Sequence, residues 1–151
     1  MDFSFFTAGQ IVFGSGSIAK LGNLVSSLGK SALLVTGSGK ASPEKAKENM
    51  EAAGLRVTSF AVAGEPDVET VQEATFLARE AGCDCVVCFG GGSVIDTGKA
   101  VSALLTNPGD PLDYLEVVGK GYPLVDKPAP CIAVPTTSGT GSEVTKNAVL
   151  K

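Results

Sequence analysis

Short apolar runs separated by stretches of helical periodicity set the rhythm of this chain. "ALLVTG" (32–37), "CDCVVCF" (83–89) and "CIAV" (131–134) are compact apolar runs bounded by Gly, Ser or Pro, the pattern of buried strands. "LRVTSFAVAG" (55–64) alternates apolar and polar positions, as a strand with one wetter face does. Between the runs the spacing changes to that of helices. "GSGSIAKLGNLVSSLG" (14–29) puts Ile18, Leu21, Leu24, Val25 and Leu28 on one face. "SPEKAKENMEAAG" (42–54) offers Ser42 as N-cap, Pro43 as first helical residue and Gly54 as the stop. "PDVETVQEATFLAREAG" (66–82) starts near Asp67 and ends before Gly82. "GGGSVIDTGKAVSALL" (90–105) is a glycine turn running into a helix. An extended segment is expected at 3–13, and one helical turn at 112–117 inside the connection 106–130, which holds five of the eight prolines. Alternation of this kind predicts an α/β fold: a mainly parallel sheet with helices on both faces.

Composition narrows the reading. A length of 151 residues fits one domain with a real core. Apolar residues make up 44%, yet no run approaches the roughly 18 needed to cross a bilayer. The opening "MDFSFFTAGQ" has no basic region followed by an apolar stretch, so the expected compartment is the cytoplasm. A net charge of −4 without a basic run argues against nucleic acid and against a membrane surface as partners. Cys83, Cys85 and Cys88 form a C-x-C-x-x-C cluster that can suggest a metal knuckle. Read as a strand, the cluster turns Cys85 and Cys88 to opposite faces, and with no second Cys pair and no His in the chain, buried strand thiols are the better account.

The strongest local signal is "VVCFGGGSVIDTGKA" (86–100). A buried strand ends in three glycines, which permit a tight turn and close approach of a phosphate, and the following helix aims its unpaired amides at that spot. Ser93 with Asp96 fits a capping box, which would leave the glycine amides for an anion. The spacing is neither a Walker motif nor G-x-G-x-x-G. A second strand-to-helix turn, "VTGSGKASP" (35–43), carries Gly37 where an acid would select a free ribose 2′-hydroxyl, with Ser38 and Lys40 beside it. "VPTTSGTGSEVT" (134–145) follows the last strand. Its Thr136, Thr137, Ser138 and Thr140 hydroxyls and its glycines at 139 and 141 would form the second wall of a crevice at the carboxyl ends of the strands.

Together, "FGGGSVIDTGKA" and "VPTTSGTGSEVT", about 45 residues apart, resemble the paired signatures of the iron-containing, group III alcohol dehydrogenases. "FTAGQIVFGSGSIAKLGNLVSSLG" and "ALLVTG" are similar to that family's amino-terminal region. The resemblance implies a Rossmann-like, dehydroquinate-synthase-like domain of a cytoplasmic oxidoreductase, a homo-oligomer acting on a small alcohol or aldehyde. It implies that Gly91, Gly92 and Ser93 contact the pyrophosphate and that Thr136, Thr137 and Ser138 line the nicotinamide half. With Gly37 in place of an acid, NADP(H) is expected over NAD(H), with Ser38 and Lys40 as 2′-phosphate partners.

One departure matters. In the family an Asp and three His bind Fe2+ (or Zn2+), all beyond the "GTGSEVT" motif, and this chain has no His and stops at Lys151. Residues 1–151 are therefore expected to be a cofactor-binding domain without its metal-binding helical partner, inactive alone, with iron only in the intact parent. A glycerol-dehydrogenase-like polyol oxidoreductase and a free-standing nucleotide- or phosphate-binding module are the alternatives.

Overall fold

The computed structural model describes residues 3, 7–39 and 41–151. Four strands, β1 (Ser31–Gly37), β2 (Arg56–Val62), β3 (Cys85–Gly90) and β4 (Cys131–Pro135), form one parallel sheet in the order β2-β1-β3-β4. Helices α1 (Leu21–Ser26), α2 (Glu44–Ala52), α3 (Val68–Glu80), α4 (Gly92–Thr106) and the short α5 (Pro111–Tyr114) connect and cover it. The expected α/β architecture with helices on both faces is what forms. Strand alternation explains the two cores. Leu33, Val35, Val86 and Cys88 face α3 and α4, while Ala32, Leu34, Cys85 and Val87 face α1 and α2. Cys85 and Cys88 thus point to opposite faces, as strand thiols.

Several boundaries differ from the expected ones, each for a local reason. The first helix is shorter than 14–29: a 3-10 turn at Ser17–Lys20 leads into α1, and Leu28, past its end, is 47% exposed. Gly22 lies so close to α2 that a Cβ there would overlap the Asn49 carbonyl oxygen. Helix α2 begins at Glu44 with Pro43 as its N-cap in helical conformation, and the Ser42 hydroxyl bonds the Glu44 carboxylate instead of a helix amide. Gly54 does end it, with φ of 85°. Asp67 caps α3 by accepting from the Thr70 amide at 2.8 Å. The segment expected to be extended at 3–13 falls partly outside the described residues, and over 7–13 no strand forms.

The proline-rich connection is ordered by one side chain. Asn107 is 1% exposed; its Oδ1 accepts from the Val125 and Asp126 amides at 2.9 Å each, and its Nδ2 donates to the Ala103 and Asp126 carbonyls. The helical turn within this connection forms at Pro111–Tyr114, capped by Asp110.

Candidate functional site

Strand order locates the site. From β1 the chain passes to β2 on one side and then crosses to β3 on the other, so the direction of winding reverses between β1 and β3. Open α/β sheets bind ligands outside the carboxyl ends of the strands at such a switch point. Here those ends are Gly37 of β1 and Gly90 of β3. Neither glycine has a positive φ; both are explained by close approach. The Cγ2 methyl of Val94, in the first turn of α4, would stand 2.9 Å from a Cβ on Gly37 and 2.5 Å from one on Gly90.

The glycine turn and the threonine loop meet as two walls. A Cβ on Gly91 would come within 3.1 Å of Thr137 Oγ1, and one on Gly92 within 3.1 Å of Thr140 Cγ2 and 3.3 Å of Ser142 Oγ. The Thr136 amide donates to the Gly90 carbonyl at 2.9 Å, which ties the base of one wall to the other. Helix α4 starts with Gly91 as an extended N-cap and no side-chain cap; the Ile95 amide makes the first helical bond, to the Gly91 carbonyl. The amides before it are the unpaired donors of a helix start. The expected capping box at Ser93 and Asp96 is therefore corrected. The helix begins two residues early, at Gly92, so Ser93 is already helical, and its carbonyl accepts from Thr97 Oγ1 at 2.8 Å.

Between the walls lies a crevice of about 350 Å3, lined by Gly92, Ser93, Asp96, Thr140, Ser142 and Glu65 among others. Asp96 is 8% exposed, and its Oδ1 makes no hydrogen bond. Its charge is met by Lys99 Nζ at 3.1 Å, an ion pair sheltered from solvent. Lys99 also donates to Thr145 Oγ1 at 3.1 Å and to the Asn147 carbonyl at 2.6 Å, pinning the segment after the threonine loop onto α4.

Of the residues singled out in the sequence, Gly92 and Ser93 line this crevice, Gly91 and Thr137 pack against each other without lining it, and Gly37 borders the turn through Val94. Ser38, Thr136 and Ser138 are on exposed or half-open rims at the same strand ends and do not line the crevice. Lys40 lies outside the described residues. Glu65, Asp96, Lys99 and Ser142 were missed as site residues. Asp96 and Lys99 share a helix face three positions apart, a readable signal; nothing local marks Glu65, which reaches the crevice from the loop after β2. A second groove of about 330 Å3, near Gln72, Phe76 and Arg79, has its polar groups engaged: Arg79 with the Leu104 and Asn107 carbonyls, Gln72 with Asp110.

Residues 8–151 match the iron-containing alcohol dehydrogenase family. The chain is 41% identical to the sulfoacetaldehyde reductase of Bilophila wadsworthia (strain 3_1_6), over 99% of this chain and 39% of that protein. It is 36% identical to the NAD-dependent methanol dehydrogenase of Bacillus methanolicus, over 97% of this chain and 39% of that one. The solved structure of the NADH-dependent butanol dehydrogenase A of Thermotoga maritima superposes with a TM-score of 0.88 at 30% identity, covering 99% of this chain and 38% of the other. The chain thus spans about two fifths of the length of these relatives.

Proposed function

The chain belongs to the iron-containing alcohol dehydrogenase family, and from that premise we propose that it is the nicotinamide-dinucleotide-binding part of an oxidoreductase that interconverts a small alcohol and an aldehyde. The observation that carries this reading is the fit of the two walls. Gly91 and Gly92 face Thr137, Thr140 and Ser142 so closely that any side chain on the turn would fill the gap, so what faces a ligand is backbone amide at a helix start. That is a cradle for a pyrophosphate. In this reading the amides of Gly91, Gly92 and Ser93 hold the diphosphate, the hydroxyls of Thr136, Thr137 and Ser138 border the nicotinamide half, and Gly37, Ser38 and Lys40 border the adenine ribose. The dinucleotide, when bound, supplies hydride transfer; the chain's own residues hold and orient it.

Two considerations bear on which dinucleotide. Gly37 leaves no carboxylate at the end of β1 to repel a 2′-phosphate, which favours NADP(H). Glu65 puts a carboxylate into the crevice, and the two relatives described above by a cofactor are named for NAD or NADH, which favours NAD(H). The reading we adopt is that both forms are accepted, without the preference for NADP(H) drawn from Gly37 alone.

The residues present do not fit a metal. A Lewis acid needs several donors around it, and among the described residues no group of three or more His, Cys, Asp or Glu is placed to hold an ion. The two-fifths share of the relatives' length supports assigning the alcohol-side chemistry to a longer parent, with this chain inactive alone. Calorimetric titration with NADH and with NADPH tests the proposal. Saturable binding of either, weakened by Gly91→Val, supports it; no heat with both would sink the crevice as a dinucleotide site.

A further inference from the structure

Two thiols outside the crevice lie against each other across the β3–β4 ladder. Cys88 Sγ and Cys131 Sγ are 3.6 Å apart. They are not direct cross-strand partners: Cys131 stands opposite Val86, and Cys88 opposite Ala133, so the side chains meet diagonally. Gly98 of α4 makes the room, since a Cβ there would overlap Cys88 Sγ. Cys88 is buried, and Cys131 is exposed at the end of a strand whose one ladder partner among the described residues is β3.

The two sulfurs differ in chemistry. Although Cys131 as a residue is exposed, its sulfur is packed against Cys88, and the contact with Cys88 and the nearby Lys99 ammonium hold its thiol below the ordinary thiol range, outweighing the desolvation of that packing. The same contact with Cys131, together with burial, pushes Cys88 well above it. One sulfur is therefore the better nucleophile, and its neighbour stays protonated in contact with it. A reactive thiolate beside a second thiol is the arrangement of oxidation-sensing cysteines.

We propose that Cys131 and Cys88 form a peroxide-sensitive dithiol that closes to a disulfide, with Cys131 the attacking sulfur and Cys88 the resolving one. The Cys131 thiolate attacks hydrogen peroxide; the O–O bond breaks, a sulfenic acid forms on Cys131, and the departing hydroxide leaves as water with the proton that Cys131 gave up. The Cys88 sulfur then attacks the Cys131 sulfur, the S–O bond breaks, and the hydroxyl leaves as a second water with the Cys88 proton. Two thiols are oxidised by two electrons in all, and one peroxide is reduced to two waters. Strands about 4.8 Å apart, with an offset of two residues of about 3.3 Å each, put the two Cα atoms about 8 Å apart. A disulfide spans up to roughly 7 Å without backbone movement, so closure draws the edge strand β4 along and toward β3. Strand β4 runs into Thr136 and Thr137, and β3 into Gly90 and Gly91, so the same movement resets the gap between the crevice walls. A strained, accessible bond of this kind is readily reduced.

The test is exposure of the reduced chain to hydrogen peroxide followed by thiol titration and peptide mapping by mass spectrometry. The expected result is a Cys88–Cys131 linked peptide, a mass loss of about 2 Da, and full reversal by dithiothreitol. Cys131→Ser should leave Cys88 unreacted at the same dose, and the mapping of the unsubstituted chain decides the matter even if a variant at Cys88 fails to fold. Oxidation of Cys131 to sulfinic acid with Cys88 still free, linkage to Cys83 or Cys85, or no reaction at Cys131 would each overturn the proposal.

Discussion

Lys99 Nζ reaches Thr145 Oγ1 at 3.1 Å while standing 3.1 Å from Asp96 Oδ1, so one side chain joins the helix behind the glycine turn to the segment behind the threonine loop. Lys99→Met removes that joint and strands a buried carboxylate. Dinucleotide affinity should fall about tenfold, equivalent to about 1.4 kcal/mol. Lys99→Arg, which keeps the positive charge beside Asp96, should recover most of it. Calorimetry on both variants reads this directly, and equal affinity in Lys99→Met and the parent would show that the walls hold their spacing without the lysine.

Gly22 tests packing away from the crevice. Its added Cβ would meet backbone, the Asn49 carbonyl, which has no rotamer to escape into. Gly22→Ala should therefore destabilise by about 1–3 kcal/mol, seen as a lower thermal midpoint. Gly39→Ala is the control, because nothing stands within 4 Å of that position. A melt of Gly22→Ala that overlays the parent's would mean α1 and α2 slide apart freely.

The strands and the two walls were legible because their signals are local. Runs such as "CVVCF" sit in the core as expected, and "VPTTSGTGSEVT" does face the glycine turn. The strand order was not legible, since which strand lies beside β1 is decided by crossovers and not by any residue. The two serine caps failed because a neighbour takes the N-cap position in each case: Pro43, itself in helical conformation, before α2, and Gly91, extended, before α4. Asn107 was invisible because its work is done with amides 18 and 19 positions away. Glu65 reaches the crevice from the loop after β2, a strand that is not adjacent to β3 and its glycine turn.

Acid should loosen the start of β1. Asp84 accepts from the Lys30 amide at 2.9 Å and the Ser31 amide at 3.0 Å. Although burial raises its pKa, these amides outweigh burial and hold it below the ordinary 3.8. A depressed folded pKa means stabilisation that is present above the unfolded value and is lost as pH falls through the folded one. Asp84→Asn should thus cost about 1 kcal/mol at neutral pH, given its exposure, and the gap from the parent should close as pH drops below about 4. Urea midpoints across that range measure it; a gap that persists undiminished at low pH would rule out the charge as its origin.

Self-association is the fourth expectation. Val117 is 94% exposed, Val118 77% and Val125 90%, all in the connection held by Asn107. Apolar side chains exposed to this degree favour contact with another surface. Sedimentation velocity over a hundredfold range of concentration should show a rising average mass, and replacing the three valines with Ser should flatten it. A single monomeric boundary throughout would refute the expectation.

Val94 carries a consequence for how such a site changes over generations. Its methyl group occupies the space that a side chain at either Gly37 or Gly90 would need. An acid cannot simply be added at position 37 to favour a free ribose hydroxyl, because α4, whose first turn carries Val94, would be pushed outward by the same step. Gly37→Asp should be tolerated only alongside a smaller residue at 94. Altered cofactor choice is then a two-step trait, and each single step, tried alone, looks like a dead end.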